Sequence, residues 1–101
     1  MPAPAASALD ERQALLERTA RAEASAWASW WRAELMRQGR PIAGGWPGTL
    51  SEARSRMARR IAADLGSDFA PTTHELDRAA RAAYGAARRD WNESSEPDQA
   101  W

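Results

Sequence analysis

Apolar side chains recur along residues 8–38 at the intervals of three and four residues that are typical of an amphipathic helix. The apolar stripe consists of Leu9, Leu16, Ala20, Ala24, Trp27, Trp31 and Leu35. Arg18, Arg21 and Arg32 fall on the opposite side. At about 100° per residue, Trp27 and Trp31 lie about 40° apart, and Trp30 lies about 60° to the other side of Trp27. The pattern predicts one long helix with a broad aromatic face.

Two shorter segments, residues 50–65 and 73–92, show the same periodicity. The predicted buried row of the first is Leu50, Ala53, Met57, Ile61 and Leu65. That of the second is Leu76, Ala80, Ala83, Tyr84, Ala87 and Trp91. Alanines along these seams let helix axes approach closely. The sequence therefore predicts an all-α three-helix bundle (8–38, 50–65 and 73–92) with Ala-rich seams and a Trp-rich core. The expected core residues are Trp27, Trp31, Met57, Ile61, Leu65, Leu76, Tyr84 and Trp91.

Capping signals mark the ends of these helices. A hydroxyl residue stands three positions ahead of an acid in Ser7–Asp10, Thr49–Glu52 and Thr72–Glu75. That spacing is typical of a capping box, in which each side chain satisfies a free backbone N–H. Gly39 and Gly66 occupy positions at which helices commonly stop. In the connections, Ile42, Trp46 and Phe69 are expected to pack against the bundle.

The chain has 101 residues, which is enough for one small domain. We expect a flexible tail at 1–6, a helical domain at 7–93 and an acidic flexible tail at 94–101. The acidic tail ends in Trp101, so it is either a disordered end or a short docking motif.

The composition excludes several classes of function. There is no cysteine, so disulfides, thiol catalysis and thiolate metal sites are excluded. The first residues lack the basic and apolar parts of a signal peptide, and no apolar run is long enough for a membrane span. The sequence therefore predicts a cytoplasmic protein that does not bind membranes.

The sequence contains few residues in arrangements that are suited to catalysis. The chain has a single histidine, His74, which cannot form the common zinc sites without cysteines. No nucleophile stands beside a base in a recognisable arrangement. We therefore expect no catalytic residues, no metal and no cofactor, and we predict that the protein is not an enzyme.

The unequal lengths of the helices suggest self-association. At 1.5 Å per residue the three helices should be about 45, 24 and 30 Å long. Part of the first helix then lacks a partner within the chain, and it carries the apolar residues Leu9 and Leu16. Either this part bends or frays, or a second copy covers it. We predict a homodimer through the first helix.

Trp30, Glu34 and Arg54 form a second candidate surface. Glu34 and Glu23 fall on the Trp-bearing side of the first helix, and Arg54 lies on the arc of Ile61 in the second. Trp and Arg are frequent anchors of protein interfaces. The structural alternative is that Arg54 pairs with Glu34 or Glu23, or that it reaches solvent along its aliphatic stem.

The third helix has a basic face. Its residues fall within an arc of about 100°. They are His74, Arg78, Arg81, Gly85, Arg88 and Arg89. This face is either a solvated surface, partly neutralised by Asp77, or a nucleic-acid-binding surface that uses Arg78, Arg81, Arg88 and Arg89. The fourteen acids balance the fourteen bases, which are all arginine, and this balance argues against a general binder of nucleic acid.

Together these observations predict a non-catalytic helical protein-interaction module, an adaptor or regulator of bacterial type. Its partner-binding residues would be Trp30, Glu34, Arg54, Leu9 and Leu16. The alternative function is that of a nucleic-acid-binding transcriptional regulator.

Overall fold

A computed structural model of the protein describes residues 4–42 and 44–94, with side chains from residue 8 to residue 93. Its three α-helices are α1 (Pro4–Arg37), α2 (Leu50–Leu65) and α3 (Thr73–Ser94). A single 3-10 turn, Ser67–Phe69, lies between α2 and α3. The predicted all-α bundle of three helices with a long first helix is confirmed.

The helices run up, down and up. Arg12 near the start of α1 contacts Glu75 at the start of α3, and Arg32 near the end of α1 contacts the carbonyl of Asp90 near the end of α3. These two helices are therefore parallel and pack directly against each other, and α2 runs antiparallel to both. The 34 residues of α1 span about 51 Å, which accounts for the long axis of 54 Å.

The first helix begins earlier than predicted. It starts at Pro4, so Ser7 lies inside it and the proposed capping box of Ser7 and Asp10 is wrong. Proline suits the first position of a helix because its fixed φ is helical and its missing N–H would have no partner there. Residues 1–3 of the predicted tail at 1–6, and residues 95–101 of the predicted tail at 94–101, lie outside the described residues.

The other capping signals form wholly at Thr72 and in part at Thr49. Thr49 accepts a hydrogen bond from the backbone N–H of Glu52 at 3.1 Å. Thr72 and Glu75 form the complete reciprocal box, with distances of 3.0 Å and 2.9 Å. At the end of α1, Gly39 has a φ of 70°, and its N–H donates to the carbonyl of Met36 at 3.0 Å. This left-handed position favours glycine because it has no Cβ.

The core is rich in tryptophan and alanine, as predicted. Trp27, Trp91, Met57 and Ile61 are the largest fully buried side chains. Around them lie the buried alanines of the seams, which are Ala20, Ala24, Ala53, Ala79, Ala80, Ala83 and Ala87. Small side chains at these positions bring the helix axes close enough for the few large ones to fill the centre.

The α1–α2 connection packs against the core through Trp46. The ring of Trp46 meets that of Trp27 edge to face at a centroid distance of 4.9 Å, and it meets that of Trp91 at 5.6 Å. A Cβ atom at Gly48 would overlap Cζ2 of Trp46, and it would lie 2.6 Å from Cε2 of the same ring and 2.7 Å from Cζ2 of Trp27. Only glycine fits there, so this connection is part of the core.

None of the helices that the structure describes is long and apolar enough to cross a membrane.

Candidate protein-interaction surfaces

Most of the large apolar side chains left uncovered by the fold lie on α1. Within the described parts of the chain, Leu9, Trp30, Met36 and Leu50 are exposed at 66%, 46%, 67% and 42%, respectively. The first three belong to α1, and Leu50 is the first residue of α2. The longest helix therefore contributes both to the core and to the apolar surface.

Trp30 is held in place on one side and open on the other. Its ring meets that of Trp31 edge to face at a centroid distance of 5.0 Å. The guanidinium carbon of Arg56 lies 5.0 Å from the centroid of the Trp30 ring, within cation–π range. These contacts fix the indole at the seam between α1 and α2. A fixed, half-exposed indole can contact a partner with little loss of side-chain entropy.

A strip of small and apolar residues runs beside Trp30 on the outer side of α1. Its members are spaced alternately by four and three residues, and they are all exposed. They are Ala22, Ala26, Ser29, Ala33 and Met36. We call this set the α1 outer strip. A repeat of 3.5 residues keeps a seam facing a second helix, and small side chains allow that helix to come close.

The two leucines predicted to be uncovered have different environments. Leu9 is exposed, but Leu16 is only 3% exposed and belongs to the core cluster. The prediction that Leu16 is available to a partner is therefore wrong. Because α3 runs parallel to α1 and its start lies beside Arg12, the uncovered overhang is limited to the first turns of α1.

Trp30, Glu34 and Arg54 do not form one surface. At the C-terminal end of α1, Glu34 accepts hydrogen bonds from Arg37 and Gln38. These bonds lower the pKa of Glu34, and the bond from Arg37 is the larger cause. Arg54 lies in a groove between α2 and α3, and it has no ion pair within the described part of the chain. Pairing of Arg54 with Glu34 or Glu23 is therefore wrong, because α2 turns Arg54 towards α3.

Arg56 and Arg60, and not Arg54, pair with Glu23. Glu23 is 5% exposed, and its carboxylate accepts from Nη1 of Arg56 at 3.0 Å and from Nε of Arg60 at 2.9 Å. Two arginines four residues apart lie on one helix face, so their spacing is the feature of the sequence from which joint pairing with one acid could have been predicted. This ion-pair network joins α1 to α2 beneath Trp30.

Glu52 also has a role that the sequence did not reveal. Its Oε2 atom accepts hydrogen bonds from the indole nitrogens of Trp27 at 2.8 Å and of Trp31 at 3.2 Å. The spacing of Thr49 and Glu52 predicted a reciprocal capping box, and only the half in which Thr49 accepts is confirmed. The acid instead accepts from the indole of the fully buried Trp27 and from that of the partly buried Trp31, across the α1–α2 seam.

The four arginines of the basic face of α3 are all exposed. Arg81 pairs with Asp77 at 3.0 Å, and the Nη1 atom of Arg89 lies 3.7 Å from the position of a Cβ at Gly85. The side chain of Arg89 thus lies beside Gly85 on this face. Arg78 and Arg88 complete the face, and neither has an ion pair among the residues that the structure describes.

Neither a metal site nor a known relative helps to assign the function. Among the described residues, no group of three or more His, Cys, Asp or Glu side chains is arranged to hold a metal ion. No protein-family model matches the chain, and no curated protein or solved structure is detectably similar to it.

Proposed function

We propose that the protein is a helical interaction module that binds another protein chain through the outer side of α1. The observation that carries this proposal is the exposed α1 outer strip, which ends in Met36 and is flanked by the half-exposed Trp30. Large apolar side chains that share one exposed face are typical of sites where a partner binds. A module of this kind acts by occupying its partner, with no chemical step.

We further propose that the partner is a second copy of this chain, so that α1 packs against α1. The α1 outer strip from Ala22 to Met36 is about 21 Å long, which is nearly four helical turns. The strip itself contains no charged residue, so pairing two copies would bury little charge. Trp30 lies along one edge of the strip, where it can cover the seam between the two helices.

The experiment that tests this proposal is sedimentation velocity over a range of protein concentrations. We expect wild type to dimerise with a dissociation constant of about 1–100 μM, since the apolar surface is modest. Ala33→Glu should shift the protein to monomer because it places a charge in the strip. Ala62→Glu is the matched control, an exposed alanine of α2, and it should leave the dimer intact.

Two results would contradict parts of this proposal. Wild type that stays monomeric at about 1 mM would exclude self-association. Binding to a different protein would then be tested by capture from the native host with the same two variants. Equal capture by both would remove α1 as the binding surface.

Nucleic-acid binding through α3 is a second candidate, supported by the exposure of Arg78, Arg81, Arg88 and Arg89. Binding to duplex DNA should then weaken steeply with salt. Replacing Arg78 and Arg88 by Ala should flatten that slope by about two units, one for each phosphate contact. A duplex that fails to bind even at low salt would exclude this function.

A further inference from the structure

A groove between α2 and α3 lies on a different face from Trp30. It has a volume of about 310 Å³, near the lower end of the range for ligand sites. It is lined by Leu50, Ser51, Arg54, Asp77, Ala80 and Arg81. The groove is large enough for a few residues of an extended segment, but not for a folded domain.

The groove combines an apolar part with a basic part. Leu50 is 42% exposed, which makes it the one large exposed hydrophobic residue outside α1 in the described chain. Ala80 is fully buried and belongs to the floor. Arg54 has no ion pair within the described residues, so its guanidinium is free to bind an anion at the edge of this apolar patch.

The cationic groups around Asp77 indicate which ligand charge the groove favours. Asp77 accepts a hydrogen bond from Nε of Arg81 at 3.0 Å. This bond is the main cause that lowers the pKa of Asp77, and the positive charge of Arg54 lowers it further. The groove therefore already stabilises one carboxylate anion. Because Arg81 is engaged by Asp77, Arg54 is the group that remains for a second carboxylate.

We propose that this groove binds a short segment of a partner protein in which a carboxylate side chain stands next to a large apolar side chain. The carboxylate pairs with Arg54, whose planar fork can donate two parallel hydrogen bonds to it. The apolar side chain covers Leu50 and Ala80, and it removes the exposed part of Leu50 from water. An acidic and apolar motif thus fits both halves of the groove.

A peptide fits this groove better than a phosphodiester backbone does. The Leu50 side chain donates no hydrogen bond to a phosphate, and a phosphodiester backbone has no apolar side chain with which to cover Leu50 and Ala80. The balanced charge of the whole chain provides no long-range attraction for nucleic acid. The groove does not involve α1, so this proposal does not depend on self-association.

Chemical-shift mapping on the full-length ¹⁵N-labelled protein tests the proposal. The probe is a synthetic peptide of sequence Gly-Ser-Leu-Asp-Glu-Ser-Gly, for which we expect a dissociation constant of about 0.1–1 mM. The largest shifts should occur at Leu50, Arg54, Ala80 and Arg81. A peptide with Asn and Gln in place of the two acids should bind about tenfold more weakly, and so should one with Ser in place of Leu.

Matched protein variants separate specific binding from general charge attraction. Arg54→Glu should weaken binding of the probe about tenfold or more. Arg59→Glu makes the same change on the other side of α2, where Arg59 is also exposed, and it should have little effect. Leu50→Ser should weaken binding about fivefold while the helical circular-dichroism signal stays unchanged.

Three outcomes would overturn the proposal. One is the absence of saturable shifts in the groove at several times the expected dissociation constant. Another is an equal effect of the changes at Arg54 and Arg59. The third is that a short DNA duplex shifts the same signals at lower concentration than the peptide does, since nucleic acid would then be the preferred ligand.

Discussion

The carboxylate of Glu52, in the first turn of α2, accepts a hydrogen bond of 2.8 Å from the indole nitrogen of Trp27, in the middle of α1. Trp27 is fully buried, so its N–H has no access to water. A buried donor without a partner costs about 1–3 kcal/mol. Glu52 therefore satisfies a donor that the packing of Trp27 creates, and it also fixes how α2 sits along α1.

We predict that Glu52→Ala lowers the free energy of unfolding by about 1–3 kcal/mol, because Trp27 and Trp31 both lose their acceptor. Glu52→Gln retains a side-chain oxygen, so its loss should be smaller. Urea unfolding followed by tryptophan fluorescence measures both. Equal losses for the two variants would show that the hydrogen bonds to the indoles do not matter.

Arg12 connects α1 to the segment between α2 and α3. It donates to Glu75 at 2.6 Å and 3.0 Å and to the carbonyl of Phe69 at 2.8 Å, and it stacks on the Phe69 ring at 3.9 Å. We expect Arg12→Met to destabilise the protein, since the charged hydrogen bonds to Glu75 and to the Phe69 carbonyl are lost. Arg12→Lys should rescue little of this loss, because lysine lacks the planar fork. Full rescue by lysine in thermal or urea unfolding would mean that charge alone suffices.

The same contact predicts a dependence of stability on pH. The hydrogen bond from Arg12, helped by that from the Thr72 N–H, lowers the pKa of Glu75 from 4.5 to about 2. A carboxyl group with a lower pKa in the folded state stabilises the protein above its unfolded pKa, and this stabilisation is lost as the pH falls. Unfolding free energies measured from pH 5 down to pH 2 should therefore fall more steeply for wild type than for Glu75→Gln. Parallel curves would contradict the assignment.

Glu23 is a buried acid between two arginines of α2. We expect Glu23→Ala to cost about 1–3 kcal/mol, which is less than a broken buried pair usually costs, because Arg56 and Arg60 can still reach Glu52 and Asp64. Glu17→Ala is the control, since Glu17 is exposed on the same helix, and it should change stability by less than about 0.5 kcal/mol. Similar losses for both variants would indicate that only helix propensity is being measured.

Gly48 is required by the tryptophans that surround it. A methyl group there would overlap the rings of Trp46 and Trp27. We predict that Gly48→Ala destabilises the protein by about 1–3 kcal/mol through overpacking. Gly45→Ala, where nothing lies within 4 Å of the added atom, should be close to neutral in the same denaturant experiment. A neutral Gly48→Ala would show that the connection moves away easily.

The sequence predicted the features that depend on local chemistry. The periodicity located all three helices, and α2 has the predicted bounds, Leu50–Leu65. The cap at Thr49, the reciprocal box at Thr72 and the glycine stop at Gly39 involve residues within five positions of one another. Such contacts follow from helix geometry alone. The start of α1 was missed because Ser7 resembles a cap, whereas Pro4 is equally suited to begin a helix.

Contacts between helices could not be predicted in the same way. The helical wheel correctly placed Glu23 on the side of the tryptophans, but it could not decide whether Arg54 or Arg56 of α2 would meet it. That choice depends on the rotation of α2 about its own axis and on its position along α1.

The order of residues is enough to specify three amphipathic helices and the apolar side of each, because helical periodicity and capping act within a few residues. The packing of the helices against one another sets the parallel course of α1 and α3, the burial of Leu16, the half-exposure of Trp30 and the position of Arg54 in a groove. Those outcomes depend on how the rings of Trp27, Trp46 and Trp91 fit together in one core. Close packing of large side chains joins residues that are far apart in the chain, so the pattern of neighbouring residues does not predict these contacts.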